Sequence, residues 1–385
     1  MTTDRLIALV TVLSLMVVTL LALKSRFLNR RLLALAQQFR LHHLLALFAG
    51  AGMLIHVALA FYRDWPESLG LYLTITDWVI LGGWGALLCF AIVIATSWLS
   101  RLKWKHWYLL HLLTIPAFVL TALHALVLAR TRRFDMAILI FLFAAIMLIL
   151  LRAFYDRLTG AHAEKFSLKS LSRVAEGVYE MHLETITLDK TKQVYPAGTI
   201  VYVRFLSAGF SRAWHPFSVA SCRYESDMRL LIKGLGHDTA HLDDLAANAH
   251  VLIRGPYREF TPDFSRPQIW IAGGIGIAPF AGYAACLAHY PHGRVALFHF
   301  FEREEQKLPL KPYAGALPNG FAEVPLRTQP RTLPDLHAVI AAAAENPKAQ
   351  FIVCGPPRFM RYIRHELKRA GVDGANIETE EFLPW

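Results

Sequence analysis

Four histidines stand at spacings that suit iron. His42 and His56 lie 14 residues apart in one apolar stretch, and His111 and His124 lie 13 apart in another. An ionisable imidazole inside an apolar membrane-length stretch is costly and needs a partner. At about 1.5 Å per residue each pair spans ~20 Å along a helix. Two neighbouring helices would therefore present two layers of facing imidazoles, one near each leaflet. Two b-type haems fit those layers, one held by His42 and His111, the other by His56 and His124. For any one histidine, packing inside a bundle is the plainer reading; two matched pairs favour ligation for the set.

Helical phase sharpens this. At about 100° per residue a 14-residue step returns to within ~40° of the same face, which selects His42 over the adjacent His43, whereas a 13-residue step misses by ~140°. Pro116 lies between His111 and His124, and proline removes a backbone bond and re-phases a helix, so a break is predicted there. Phe118, midway between the second pair, is either core or a filler between haems. Arg40, Arg63 and Arg130 sit at span ends, where they could pair with haem propionates or simply snorkel to the interface.

A second set of residues suits nucleotide chemistry. QIWIAGGIGIAPF (268–280) is an apolar strand running through glycines into a helix, the arrangement in which backbone N–H groups and a helix N-terminus meet a pyrophosphate. Gly273, Gly274 and Gly276 would allow the close approach. RVALFHFFER (294–303) reads as the next strand and AQFIVCGPPRFM (349–360) as another strand entering a helix. Upstream, VYEMHLE (178–184), TIVYVRF (199–205) and MRLLIKG (228–234) alternate as strands of a small β-barrel do.

The elements that position these residues follow from composition. The chain has 385 residues, 55% of them hydrophobic, too apolar for a soluble protein alone. Apolar runs near 6–23, 41–61, 71–99, 107–129 and 134–151 each approach the ~20 residues that cross a bilayer, and predict five spans. Through residue 165 there are 16 cations against 7 acids, and beyond it 24 against 22, so the basic excess belongs to the apolar half. Such a distribution fits loops facing an anionic leaflet and not a nucleic-acid surface. Of the loop cations, ten fall on one side of the predicted bundle and five on the other. The positive-inside rule then puts the N-terminus outside and the C-terminal half in the cytosol. Trp65, Trp78, Trp98, Trp104 and Trp107 fall near span ends, where aromatic rings favour the interface. The first apolar segment lacks a cleavable leader's pattern and is expected to be retained. Cys89, Cys222, Cys286 and Cys354 form no CxxC pair and are expected to be reduced thiols, with no zinc or iron–sulfur site.

HPFSVAS (215–221), KGLGHDT (233–239), GPY (255–257), GGIGIAP (273–279) and CGPP (354–357) occur in one order. That order resembles the ferredoxin–NADP reductase superfamily. With the histidine-bearing spans in front, nearly the whole chain resembles the NADPH oxidase and ferric reductase family, particularly its compact bacterial members, whose two haem-bearing helices show the same histidine spacings. The resemblance implies a multi-domain protein: a five-span di-haem transmembrane domain (1–160), an FAD-binding antiparallel β-barrel (165–262) and a Rossmann-like α/β NAD(P)H-binding domain (267–385). It implies that His215, Pro216 and Phe217 line FAD, that Ser218 approaches flavin N5, and that Lys233 and Thr239 meet the FAD diphosphate. Gly273, Gly274, Gly276 and Pro279 would shape the nicotinamide-nucleotide turn, with Cys354 and Gly355 beside the nicotinamide. From the closing EEFLPW (380–385), Phe382 or Trp385 would stack on the flavin. Ser218, Cys354 and Phe382 would thus surround the hydride path. Arg303 would recognise the 2′-phosphate of NADPH, although the adjacent Glu302 suits the ribose of NADH.

Three departures from the family pattern bear on function. One span of the usual six is missing, the turn carries Ala278 where threonine is common, and Ala60 stands where superoxide-forming members carry a further histidine. The expected function is therefore passage of electrons from cytosolic NADPH through FAD and two haems to an outer acceptor, dioxygen giving superoxide, or a ferric chelate by the same path. The expected location is a bacterial inner membrane. No calcium loop or regulatory subunit is signalled, which implies constitutive activity. A haem-free membrane-anchored flavin reductase and a non-enzymatic haem-binding protein are the alternatives from other classes.

Overall fold

The computed structural model describes residues 3–22, 35–63, 78–98, 102, 104–129, 133–160, 163–186, 195–257, 262–289, 292–310, 320–329 and 332–380. They form two compact units that divide at Thr159 and Gly160. Most of the cationic loop residues, Trp65, Phe382 and Trp385 lie outside the described residues.

The first unit is helical: α1 (Thr3–Ala22), α2 (Leu35–Arg63), α3 (Trp78–Trp98), α4 (Trp104–His111), α5 (Thr114–Ala129) and α6 (Arg133–Thr159). Among the described residues four stretches are long and apolar enough to cross a membrane: Gln37–Arg63, Trp78–Trp98, His106–Leu128 and Met136–Asp156. Five spans are predicted, and the difference is α1. Its apolar part, Leu6–Ala22, rises about 26 Å, short of the ~30 Å hydrocarbon core. It still joins the bundle, where Leu15 packs with Ala49, Phe90, Ala117, Phe118 and Ile146. The hydroxyls of Thr11, Ser14 and Thr19 each donate 2.8 Å bonds to the carbonyl four residues back, so α1 buries them at little cost. Phe118 is core: it meets Phe90 edge-on at 5.5 Å.

The predicted break is present. α4 ends at His111, and α5 begins at Thr114. Pro116 has no N–H to give the Leu112 carbonyl; that carbonyl accepts from Ile115 N instead, at 3.0 Å. The Thr114 hydroxyl donates to the His111 carbonyl at 2.9 Å. The two histidines of this span therefore sit on separate helices.

The second unit begins with a six-stranded antiparallel sheet: β1 (Glu164–Ala175), β2 (Val178–Thr185), β3 (Ile200–Phe205), β4 (His215–Ser218), β5 (Met228–Lys233) and β6 (His250–Tyr257). The spatial order is β4-β3-β6-β1-β2-β5, and the sheet curls until Val219 bridges Leu230. Strand alternation is plain in β6, where Val251, Ile253, Gly255 and Tyr257 point inward. Met181, Leu183, Val203 and Leu230 help to fill the interior.

Five parallel strands follow: β7 (Gln268–Gly273), β8 (Val295–Phe301), β9 (Phe321–Arg327), β10 (Gln350–Cys354) and β11 (Ile377–Glu380), ordered β11-β10-β7-β8-β9. β7 and β10 are buried throughout, as a sheet covered on both faces requires. Helices α7 (Ala278–Leu287), α8 (His337–Glu345) and α9 (Pro357–Arg369) complete the layers. α9 buries Met360, Ile363 and Leu367 on one face, the spacing of an amphipathic helix.

The thiols depart from expectation. Cys222 and Cys286 are joined in a disulfide across 64 residues, a contact that only the tertiary fold brings about. Cys89 and Cys354 are free.

Candidate functional site

In the helical unit, His42 donates its Nδ1–H to the Val18 carbonyl on α1 at 2.9 Å, and His124 donates its own to the Val79 carbonyl on α3 at 2.8 Å. A carbonyl can only accept, so in both rings the proton sits on Nδ1 and the Nε2 lone pair is free to bind a metal. His43, the neighbouring residue, is exposed and bonds its own helix at Phe39. Gly83 on α3 leaves the space that His124 occupies, since a Cβ there would lie 2.9 Å from the ring. His111 stacks on Trp107 at 4.6 Å. On the face of α2 away from His56 lies an apolar hollow of about 380 Å³ lined by Leu54, Val57, Ala58, Phe61 and Tyr62. Among the described residues no cluster of three or more metal-ligating side chains occurs.

In the reductase unit the site assembles at the carboxyl ends of β7 and β10, adjacent parallel strands from which the chain turns to opposite sides. Such a switch point is where open α/β sheets bind ligands. Gly273 and Cys354 end these strands. Gly276 packs so closely on the Cys354 carbonyl that a side-chain carbon would overlap it, and Gly274 turns with φ +55°. A short 3-10 turn, Gly274–Ile277, then leads into α7, with Pro279 in its first turn. Under this turn His299 donates from Nε2 to the Gly274 carbonyl at 3.2 Å. Burial drives its pKa down to about 4, so it is neutral at physiological pH. Burial likewise pushes the Cys354 thiol well up, and the nearby Glu380 carboxylate adds to the effect. Glu380 is itself buried and accepts from the Tyr283 hydroxyl.

β4 brings His215, Pro216, Phe217 and Ser218 to the barrel rim. Ser218 is 1% exposed, and its hydroxyl has no hydrogen-bond partner among the described residues. A buried orphan of this kind fits a ligand atom as its partner. Asp238 is the residue that sequence reasoning left without a role. It accepts from Ser211 N at 3.0 Å, Ser211 Oγ, His215 Nε2 at 2.8 Å and His237 Nδ1 at 3.1 Å. Burial opposes its charge, but the Ser211 and histidine bonds together outweigh that and hold its pKa at about 2. Its partners lie at least 23 residues away apart from His237, and no local pattern marks them.

Two expectations shift. The Thr239 hydroxyl accepts from Leu235 N and Gly236 N at 3.1 and 2.9 Å, so it holds the KGLG turn closed. Lys233, at the end of β5, remains half-buried beside that turn. Arg303 does lie just past β8, but its guanidinium pairs with Glu176 of the barrel at 2.7 Å. Gly355 follows Cys354 next to Gly273.

Residues 7–122 match the ferric reductase like transmembrane component, and residues 168–271 match an FAD-binding domain. The chain is thus similar to the ferric reductase transmembrane component over its first part and to FAD-binding domains over its second. With the four apolar helices, the two matches support a multi-pass membrane protein and a flavin-dependent oxidoreductase. Among solved structures, the ferredoxin reductase in carbazole 1,9a-dioxygenase is 18% identical, with 57% of this chain and 69% of that chain covered and a TM-score of 0.48. The ferredoxin-NADP+ reductase from Plasmodium falciparum is 16% identical, with 58% and 97% covered and a TM-score of 0.48. The Amycolatopsis cytochrome P450 reductase is 23% identical, with 58% and 70% covered and a TM-score of 0.49. A comparison with curated proteins finds no match.

Proposed function

We propose that this protein passes electrons from cytosolic NADPH by way of FAD and two b-type haems to an acceptor at the outer face of a bacterial inner membrane. The observation that carries the reading is the pair of Nδ1–H bonds from His42 and His124 to carbonyls of neighbouring helices, which fix both rings in the ligating tautomer.

FAD, when bound, takes up hydride and releases electrons singly, and haem carries single electrons. The chain's own residues supply the rest. His42 with His111, and His56 with His124, would each hold one haem, with imidazole nitrogens as the ligands. His215, Pro216 and Phe217 line the flavin, and the Ser218 hydroxyl offers its unpaired donor and acceptor to N5. Lys233 supplies positive charge for the diphosphate, while Thr239 shapes the loop that holds it. The turn at Gly273, Gly274, Gly276 and Pro279 seats the nucleotide. Cys354, kept as a neutral thiol, and Gly355 border the nicotinamide without competing as a nucleophile. Phe382 or Trp385 would cover the flavin between turnovers. Arg303 meets a 2′-phosphate once released from Glu176, which keeps NADPH ahead of NADH.

Dioxygen is the proposed acceptor and ferric chelates the second. Purified enzyme given NADPH, FAD and haem tests this: acceptor reduction suppressed by superoxide dismutase supports dioxygen, and dismutase-insensitive ferric-chelate reduction supports the second. Absence of b-type bands from the reduced-minus-oxidised spectrum would instead leave a membrane-anchored flavin reductase.

A further inference from the structure

The disulfide between Cys222 and Cys286 connects two parts of the reductase that must work together. Cys222 lies four residues after Ser218, in the segment leaving β4. Cys286 lies in the last turn of α7, the helix that starts at the nucleotide turn. α7 also rests directly on that segment, where a Cβ at Gly282 would sit 2.8 Å from the Val219 carbonyl. Both sulfurs are nearly buried, at 2% and 5% residue exposure.

The loop is built to hold Cys222 in place. Its N–H donates to Glu225 Oε1 at 2.8 Å, and Arg229 bonds both that carboxylate and the Ala220 carbonyl, at 3.2 and 3.0 Å. Two residues on from Cys222 the Tyr224 ring meets His289 at 4.6 Å, just beyond the end of α7, and Tyr224 is half exposed, so the segments that carry both cysteines reach the surface close together.

Disulfides in a reducing compartment are usually transient and redox-sensing. We propose that Cys222 and Cys286 are a redox modification site, oxidised by hydroperoxides and reduced by dithiols, which sets how firmly the nucleotide turn is held to the flavin-lining segment. The inference rests on the flavin and nucleotide assignments and the cytosolic placement proposed above, and is independent of the haems and of the outer acceptor. On oxidation two S–H bonds and one O–O bond break and one S–S bond forms; the thiols give up two electrons and two protons, and hydrogen peroxide leaves as two waters. A dithiol reverses this through a mixed disulfide, itself becoming the cyclic disulfide. Cys354, neutral and fully buried, is a poor competitor for the oxidant.

The test uses full-length protein in detergent, treated with hydrogen peroxide or dithiothreitol, alkylated, and divided between peptide mass mapping and NADPH-dependent reduction of ferricyanide. Peroxide is expected to yield a Cys222–Cys286 cross-linked peptide and to lower KM for NADPH about three- to tenfold, and dithiothreitol to reverse both. The C222S and C286S variants should stay at the reduced enzyme's KM under either treatment. If those variants fold poorly, a dithiothreitol titration of wild type decides: KM must follow the cross-linked fraction with one midpoint. Absence of the cross-linked peptide, a cross-link that leaves KM unmoved, or an equal response in C222S overturns the proposal. Because the peptide is read without turnover, failure of the site is distinguishable from failure of the functional reading.

Discussion

Asp238 holds a full charge in a buried place because four donors converge on it, and that charge fixes His215 at the rim where the flavin is proposed to lie. A carboxylate whose folded pKa is about 2 against an ordinary 3.8 stabilises the fold above pH 4 by about 2 kcal/mol, a contribution lost as pH falls through 2. Asp238→Asn keeps the shape and removes the charge; we expect a lower thermal midpoint by several degrees and at least tenfold weaker FAD retention, read by flavin fluorescence on dilution. His299 behaves in the opposite sense. Its neutral form is favoured in the fold, with a pKa of about 4, while in the unfolded chain it takes up a proton near pH 6.5. Stability should therefore fall between pH 6.5 and 4, by up to about 3 kcal/mol, and be flat above pH 7. The His299→Gln variant retains a donor and cannot titrate, so its melting temperature should change less between pH 7 and 5 than that of wild type. Neither residue was assigned a role from sequence, because each acts through partners distant along the chain, whereas Ser218 and Cys354 were singled out from the motifs that contain them.

At the scale of elements, glycines and one proline do much of the positioning. Pro116 was readable as a break, since its missing N–H and its ring act locally; that the break would fall directly after His111 needed the Thr114 and Ile115 bonds to be seen. Gly276 was readable as part of a turn, but the reason for it is contact with the Cys354 carbonyl on a neighbouring strand. Gly276→Ala should therefore abolish most NADPH-dependent turnover while leaving bound flavin near wild-type content, as measured by stopped-flow flavin reduction and by absorbance. Gly83 was not singled out at all, because only the packed bundle shows His124 filling the space beside it. Gly83→Leu should push that ring aside and reduce haem content from two per chain towards one, measured as the pyridine haemochrome.

For the whole molecule, charge distribution, hydropathy and motif order were enough to separate a membrane bundle from a barrel and a nucleotide-binding domain, and each of these architectures is present. What the sequence concealed was long-range: the short first helix, the disulfide across 64 residues, and the pairing of Arg303 with Glu176. The account stands or falls on electrons crossing the bilayer by way of the four histidines. The direct measurement uses the enzyme in sealed vesicles, NADPH supplied on the reductase side and cytochrome c trapped on the other, with wild type compared against His56→Ala. The account predicts that the variant loses more than tenfold of trapped-acceptor reduction while ferricyanide reduction on the NADPH side persists; trapped-acceptor reduction at the wild-type rate would contradict it.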